Sequence, residues 1–197
     1  MRSVYLAGLI CIGLLLTSCA DQPQRTSSDT SWQTTEAQLK ALSHWKASGK
    51  LALRTQDKSE SASLQWEQTD NVTQIVLSGP LGLSATSIMS DQSSLTIEQG
   101  GQVQHYNISS GTTHTAWDLP VQALPYWILG LPAPGEPVQE QLIEQNSLRQ
   151  MTQLGWTVTY ENYGQFDQYI LPTRMKIEKN STRARLLIRQ WSDFSIR

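Results

Sequence analysis

Cysteine is nearly absent from this 197-residue chain: there are two, Cys11 and Cys19, both close to the N-terminus. If that terminus is processed, the remainder has neither a disulfide nor a cysteine metal site, and its stability rests on packing. Long apolar runs are scarce as well. The one stretch of this kind, from Val4 to Leu16, is shorter than the roughly 20 residues that span a bilayer. Basic charge is not in excess, with 15 Lys and Arg against 17 Asp and Glu. No cluster along the sequence has the density that nucleic acid demands, so no nucleic-acid partner is expected. Histidine is limited to His44, His105 and His114, none at a metal-ligand spacing, and they are read as packing or surface residues. A Gly-x-Ser-x-Gly elbow and a phosphate loop are both missing. Asp57, Asp70, Asp91 and Asp167 fall at turns, where Asp caps backbone groups. No catalytic residue, metal ligand or cofactor is expected, and the chain is read as a non-enzyme.

What is present begins at the N-terminus. Met1-Arg2, the apolar run and then Leu16-Thr17-Ser18-Cys19 have the charged start, short apolar stretch and small residues of a secretory signal. The junction resembles the lipobox of bacterial lipoproteins. The resemblance implies cleavage after Ser18 and acylation of Cys19, giving a protein anchored by lipid without spanning the membrane. Three acyl chains, at about 0.8 kcal/mol per buried methylene, hold it firmly. Loss of Arg2 makes the formal charge more negative still. An Asp directly after the cysteine commonly retains lipoproteins in the inner membrane; here Ala20 stands there and Asp21 follows, so the outer membrane is the expected destination.

Residues 19–31 contain nothing to bury and read as a lipidated flexible tether, leaving 32–197 as a single domain. From Trp32, the residues Leu39, Leu42 and Trp45 recur at helical spacing, Thr35 and Gln38 suit a capping box, and Gly49 supplies a stop. One helix is expected over about residues 33–47. Beyond Gly49 the apolar period falls to two, in 51–53, 62–67, 95–98, 156–160 and 175–178, and further strands are expected at 73–79, 84–90, 103–108, 147–153 and 184–191. Gly100-Gly101 suits a hairpin turn. Val121, Leu124, Ile128 and Leu131 return to helical spacing before the proline-rich 131–137 segment, so a short second helix is expected there, begun or kinked by Pro125. The economical architecture is mainly β with some helix: a curved antiparallel sheet of about ten to eleven strands whose helices cover an apolar concave face.

Several segments together resemble the LolB family of outer-membrane lipoproteins. They are Leu39 to Trp45 with Gly49, Trp66-Glu67-Gln68, Gly79-Pro80-Leu81-Gly82, Tyr126-Trp127-Ile128-Leu129-Gly130-Leu131-Pro132, Gly155-Trp156 leading to Tyr160, and Arg189-Gln190-Trp191. The resemblance implies an incomplete β-barrel, shared with the periplasmic carrier LolA, that encloses a hydrophobic cavity under lid helices. It also implies a monomeric receptor that takes triacylated lipoproteins from LolA and inserts them into the outer membrane without ATP. By that resemblance Leu81, in a turn that ordinarily carries polar residues, meets the membrane. As a group, Leu64, Trp66, Ile75, Leu77, Ile97, Trp127, Ile128, Trp156, Val158, Met175 and Ile177 are expected around the acyl chains. Leu51, Leu53 and Trp191 are open to the same reading. Cavity wall and plain core both demand dry residues, so the pattern does not separate them. A half-barrel binding a free lipid, and a scaffold for an envelope complex, are the rival readings.

Overall fold

The computed structural model describes residues 27–79, 85–108 and 120–197; the signal segment, Cys19 and Leu81 lie outside them. Alternating apolar and polar residues give strands with one dry face, and eleven form: β1 (Leu42–Arg54), β2 (Ser59–Thr69), β3 (Val72–Ser78), β4 (Thr86–Ser90), β5 (Ser94–Gln99), β6 (Gln102–Asn107), β7 (Val138–Glu144), β8 (Ser147–Gln153), β9 (Trp156–Phe166), β10 (Tyr169–Lys179) and β11 (Thr182–Ile196). Among the described residues two helices accompany them, α1 (Ser27–Lys40) and α2 (Leu124–Leu129). The strands make one sheet in the order β6-β5-β4-β3-β2-β1-β11-β10-β9-β8-β7. Two antiparallel meanders are thus joined where the first strand pairs with the last. Among the described residues β6 and β7 are free edges, so the barrel is incomplete, as the alternation and the family resemblance led us to expect.

The first helix differs from expectation. It ends at Lys40, and residues 42–47, expected to be helical, begin β1. The three-residue spacing of Leu39, Leu42 and Trp45 imitates a helix, but the buried side chains from there on are Trp45, Ala47 and Leu53, which share one side of a strand. Ala47 is too small to have marked the period. The helix also starts at Ser27, inside the expected tether. The Thr35 hydroxyl donates back to the Ser31 carbonyl at 3.1 Å, an intrahelical bond in place of the expected cap.

Gly49, expected to end that helix, sits within β1 at a register shift against β11. A Cβ there would strike the Leu187 carbonyl oxygen and lie 2.9 Å from Ile188 Cα. Glycine is needed so that the two backbones can approach. Nearby, Trp45 packs between Trp66 and Trp191, with ring centroids 5.6 Å and 5.2 Å apart, and ties β1, β2 and β11 together.

β7 was not foreseen. Its ladder with β8 shifts register between Val138 and Glu140 and again between Leu142 and Ile143, which breaks the period of two. The Gly100-Gly101 hairpin forms as expected, with φ of 60° and 79°. In α2, Pro125 stands in the first turn, where its missing N–H costs nothing, and Gly130 closes the helix at φ 83° with its N–H on the Trp127 carbonyl.

Candidate functional site

An apolar cavity of about 410 Å³ opens on the concave face, within the range of small-molecule sites. β1 contributes Leu51 and Leu53, β2 Leu64 and Trp66, β3 Ile75 and Leu77, β4 and β5 Ile88 and Ile97, and β10 with β11 Met175, Ile177 and Leu186. These residues share one side because strand side chains alternate. The roof is Val121, Leu124 and Ile128, spaced three and four apart as one face of a helical turn requires. Polar lining is confined to a few residues such as Glu60, Ser61, Thr86 and Gln99.

Of the eleven residues expected around acyl chains, Leu64, Trp66, Ile75, Leu77, Ile97, Ile128, Met175 and Ile177 line this cavity, as do Leu51 and Leu53. Trp127, Trp156, Val158 and Trp191 do not. They are buried elsewhere in the barrel: Trp127 and Val158 in the part that α2 and the segment after it fill, Trp156 at the wall of a second space, and Trp191 against Trp45. Gln153, wholly buried at the end of β8, accounts for that filling. Its Oε1 accepts from Trp127 Nε1 at 2.8 Å and from the Ala133 N–H at 2.9 Å, while its Nε2 donates to the carbonyls of Ala133 and Glu136. The Tyr160 hydroxyl adds a bond to the Trp127 carbonyl at 2.8 Å. Trp156 lies beneath the Lys179 ammonium, 5.6 Å from the ring centroid, and Trp191 Nε1 donates to the Pro172 carbonyl at 3.0 Å.

Pattern reading missed Ile88, Leu186 and Gln153. The first two were findable, since both fall on the dry side of foreseen strands. Gln153 was not, because a polar residue on a dry face signals nothing until its partners are known.

A second space of about 710 Å³ lies against the other side of α2, between Gln122, Tyr126 and Leu129 and polar groups such as Gln68, Thr73 and Ser90. Its mixed lining holds apolar chains less well than the first. The β3–β4 connection, which carries Leu81, leaves from Gly79 at the apolar cavity's wall.

Two buried tyrosines and two histidines hold the structure together. Burial pushes the Tyr160 and Tyr163 hydroxyls well above their ordinary value, so they act as neutral hydrogen-bond donors. His44 and His105 bond to the hydroxyls of Thr69 and Thr96 on neighbouring strands; His114 lies outside the described residues. Among the described residues no group of His, Cys, Asp and Glu is arranged to hold a metal ion.

Comparison with known proteins agrees with this geometry. The family model described as outer membrane lipoprotein LolB matches residues 43–191. The outer-membrane lipoprotein LolB of Cellvibrio japonicus is 35% identical, over 93% of this chain and 96% of that protein. Its counterpart from Chromohalobacter salexigens is 32% identical, over 93% of this chain and 88% of that protein. The crystal structure of a LolA superfamily protein from Nitrosomonas europaea superposes with a TM-score of 0.51 at 11% identity, covering 87% of this chain and 94% of that one, a likeness of fold alone. With the family match spanning most of the strands and both relatives aligned almost end to end, this chain belongs to the outer-membrane lipoprotein LolB family.

Proposed function

We propose that this protein is an outer-membrane receptor which accepts triacylated lipoproteins from the periplasmic carrier LolA and releases them into the outer membrane, holding their acyl chains in the cavity beneath α2. The observation that carries the reading is an open apolar cavity roofed by Val121, Leu124 and Ile128 in a member of the LolB family. Burial of methylenes is non-directional and needs no nucleotide. Cargo therefore moves down a gradient of affinity, from carrier to receptor to bilayer, and a mostly apolar wall, with Glu60 its charged member, permits release at each step.

The receptor works as a monomer, without catalysis, on the periplasmic face of the outer membrane, tethered by acylated Cys19. Leu81 enters the bilayer during release. One leucine contributes about 1.5 to 3 kcal/mol on burial, enough to orient a brief contact and too little to anchor.

The test is transfer. The polypeptide 19–197 carrying Cys19→Ala, mixed with loaded carrier and no ATP, takes up the labelled lipoprotein. Cargo that stays on the carrier in a pull-down sinks the reading, and copurified free lipid found by mass spectrometry in place of acylated polypeptide redirects it. Leu81→Glu leaves uptake intact and slows delivery into liposomes; undiminished delivery removes Leu81 from the mechanism.

A further inference from the structure

The convex face of the sheet gathers positive charge from two distant stretches of the sequence, 50–54 and 174–185. Lys50, Ala52 and Arg54 of β1 lie opposite Leu187, Arg185 and Arg183 of β11, which in turn lie opposite Arg174, Lys176 and Glu178 of β10. Their neighbours in each strand, such as Leu53, Leu186 and Ile177, are buried, so alternation turns this whole block outward. Six of its nine side chains are cations. Arg54 faces Arg183, and Arg185 faces Lys176, cross-strand pairings of like charge that destabilise a sheet.

Two carboxylates answer them: Glu178 pairs with Arg183, and Glu161 of β9 pairs with Lys176 and reaches Arg174 at 4.0 Å. Among the described residues, no carboxylate comes within ion-pair distance of Lys50, Arg54 or Arg185. In a chain whose formal net charge is −2, these three cations, of which Arg185 feels the Glu161 carboxylate only from beyond ion-pair distance, call for an external anion.

We propose that this face docks on the phosphate surface of a bilayer containing anionic phospholipid. The patch lacks what a protein partner grips: its apolar members are Leu187 and Ala52, with no aromatic side chain, whereas protein interfaces rest on buried aromatic and apolar anchors. A charged membrane requires only cations held within a Debye length of it. The same wall carries the cavity on its inner side, through Leu51 and Leu53. Docking therefore sets the cavity wall against the headgroups. The inference rests on the membrane station proposed above, but its test involves neither carrier nor cargo, so the two readings fail separately.

The polypeptide 19–197 with Cys19→Ala contains every described residue and no acyl group. At low salt it sediments with vesicles of mixed phosphatidylglycerol and phosphatidylcholine, and much less with phosphatidylcholine alone. Lys50→Glu/Arg54→Glu/Arg185→Glu weakens that binding by at least about a hundredfold, since each cation near an anionic surface is worth about fivefold. Circular dichroism verifies that the variant is folded. Lys40→Glu/Arg197→Glu, which lowers net charge away from the block, retains binding to within a few-fold. Equal binding to both vesicle types, or equal losses in the two variants, overturns the proposal. So does a triple variant that binds vesicles normally and loses the carrier instead, which would assign the face to an acidic protein.

Discussion

The two parts of this barrel use the same alternating strands to opposite ends. Where β8 and β9 curve, side chains pack against the concave face: Trp127, Leu131, Leu148, Met151 and Val158 are at most 1% exposed, and Gln153 fastens α2 and the following segment with four hydrogen bonds. Where β1 to β5 curve, the concave face is left partly open, and Leu64, Ile75, Leu77 and Ile97, though packed among their neighbours, also line a cavity. Close-packed interiors resist deformation, whereas an unfilled apolar surface retains unspent capacity to bury a ligand. One part therefore serves as a rigid mount and the other as the container, with α2 shared between them: Trp127 faces the mount and Ile128 the container.

Substitutions that respect or violate this division test it. Trp127→Ala has the largest expected effect, about 3 to 5 kcal/mol of stability from lost packing, read by denaturant unfolding; a cost below 1 kcal/mol would mean the mount is not packed as described. Gln153→Leu comes next. It leaves the Ala133 N–H, two carbonyls and an indole N–H without their partner, at a cost of about 2 to 4 kcal/mol, and hydrogen exchange quickens at residues 131–136. Unchanged exchange there would deny Gln153 its fastening role.

Leu77→Trp reverses the balance. Filling the container changes stability by no more than about 1 kcal/mol because the new ring enters space rather than a packed core, yet it displaces a fluorescent fatty-acid probe from the protein. Retained probe binding would locate the site elsewhere.

The smallest effect is at Asp91, in the β4–β5 turn. Hydrogen bonds from the backbone N–H groups and hydroxyls of Ser93 and Ser94 hold its carboxyl at about 2, below the ordinary 3.8. The fold thus favours the ionised form. The contribution is fully present above the ordinary value and fades as pH falls through about 2. Asp91→Asn slightly lowers stability at neutral pH and flattens the acid limb between these values; an unaltered acid limb would show that the turn does not depend on this charge.

Much of the fold was legible: ten of the eleven strands follow from period two, the Gly100-Gly101 turn from its glycines, and α2 with Pro125 in its first turn from helical spacing. The failures share a cause. In β1 a small Ala47 and a bulge at Gly49 erased the alternation while Leu39, Leu42 and Trp45 imitated a helix, and in β7 two register shifts did the same. The candidate site was legible as a set of dry residues and not as a cavity, since Ile128 and Trp127 are neighbours, both apolar and both buried.

By itself, then, the sequence determined which residues turn inward, where the chain reverses and that no cysteine braces the domain, because those depend on local period, turn chemistry and composition. Only the tertiary structure decided which inward residues are packed and which are left around space, because that depends on where one short helix is fastened by Gln153, a residue remote from it in sequence. The basic face was decided the same way. Arg174, Lys176, Arg183 and Arg185 are already near one another in the chain, but Lys50 and Arg54 join them only because β1 closes against β11 and β11 against β10.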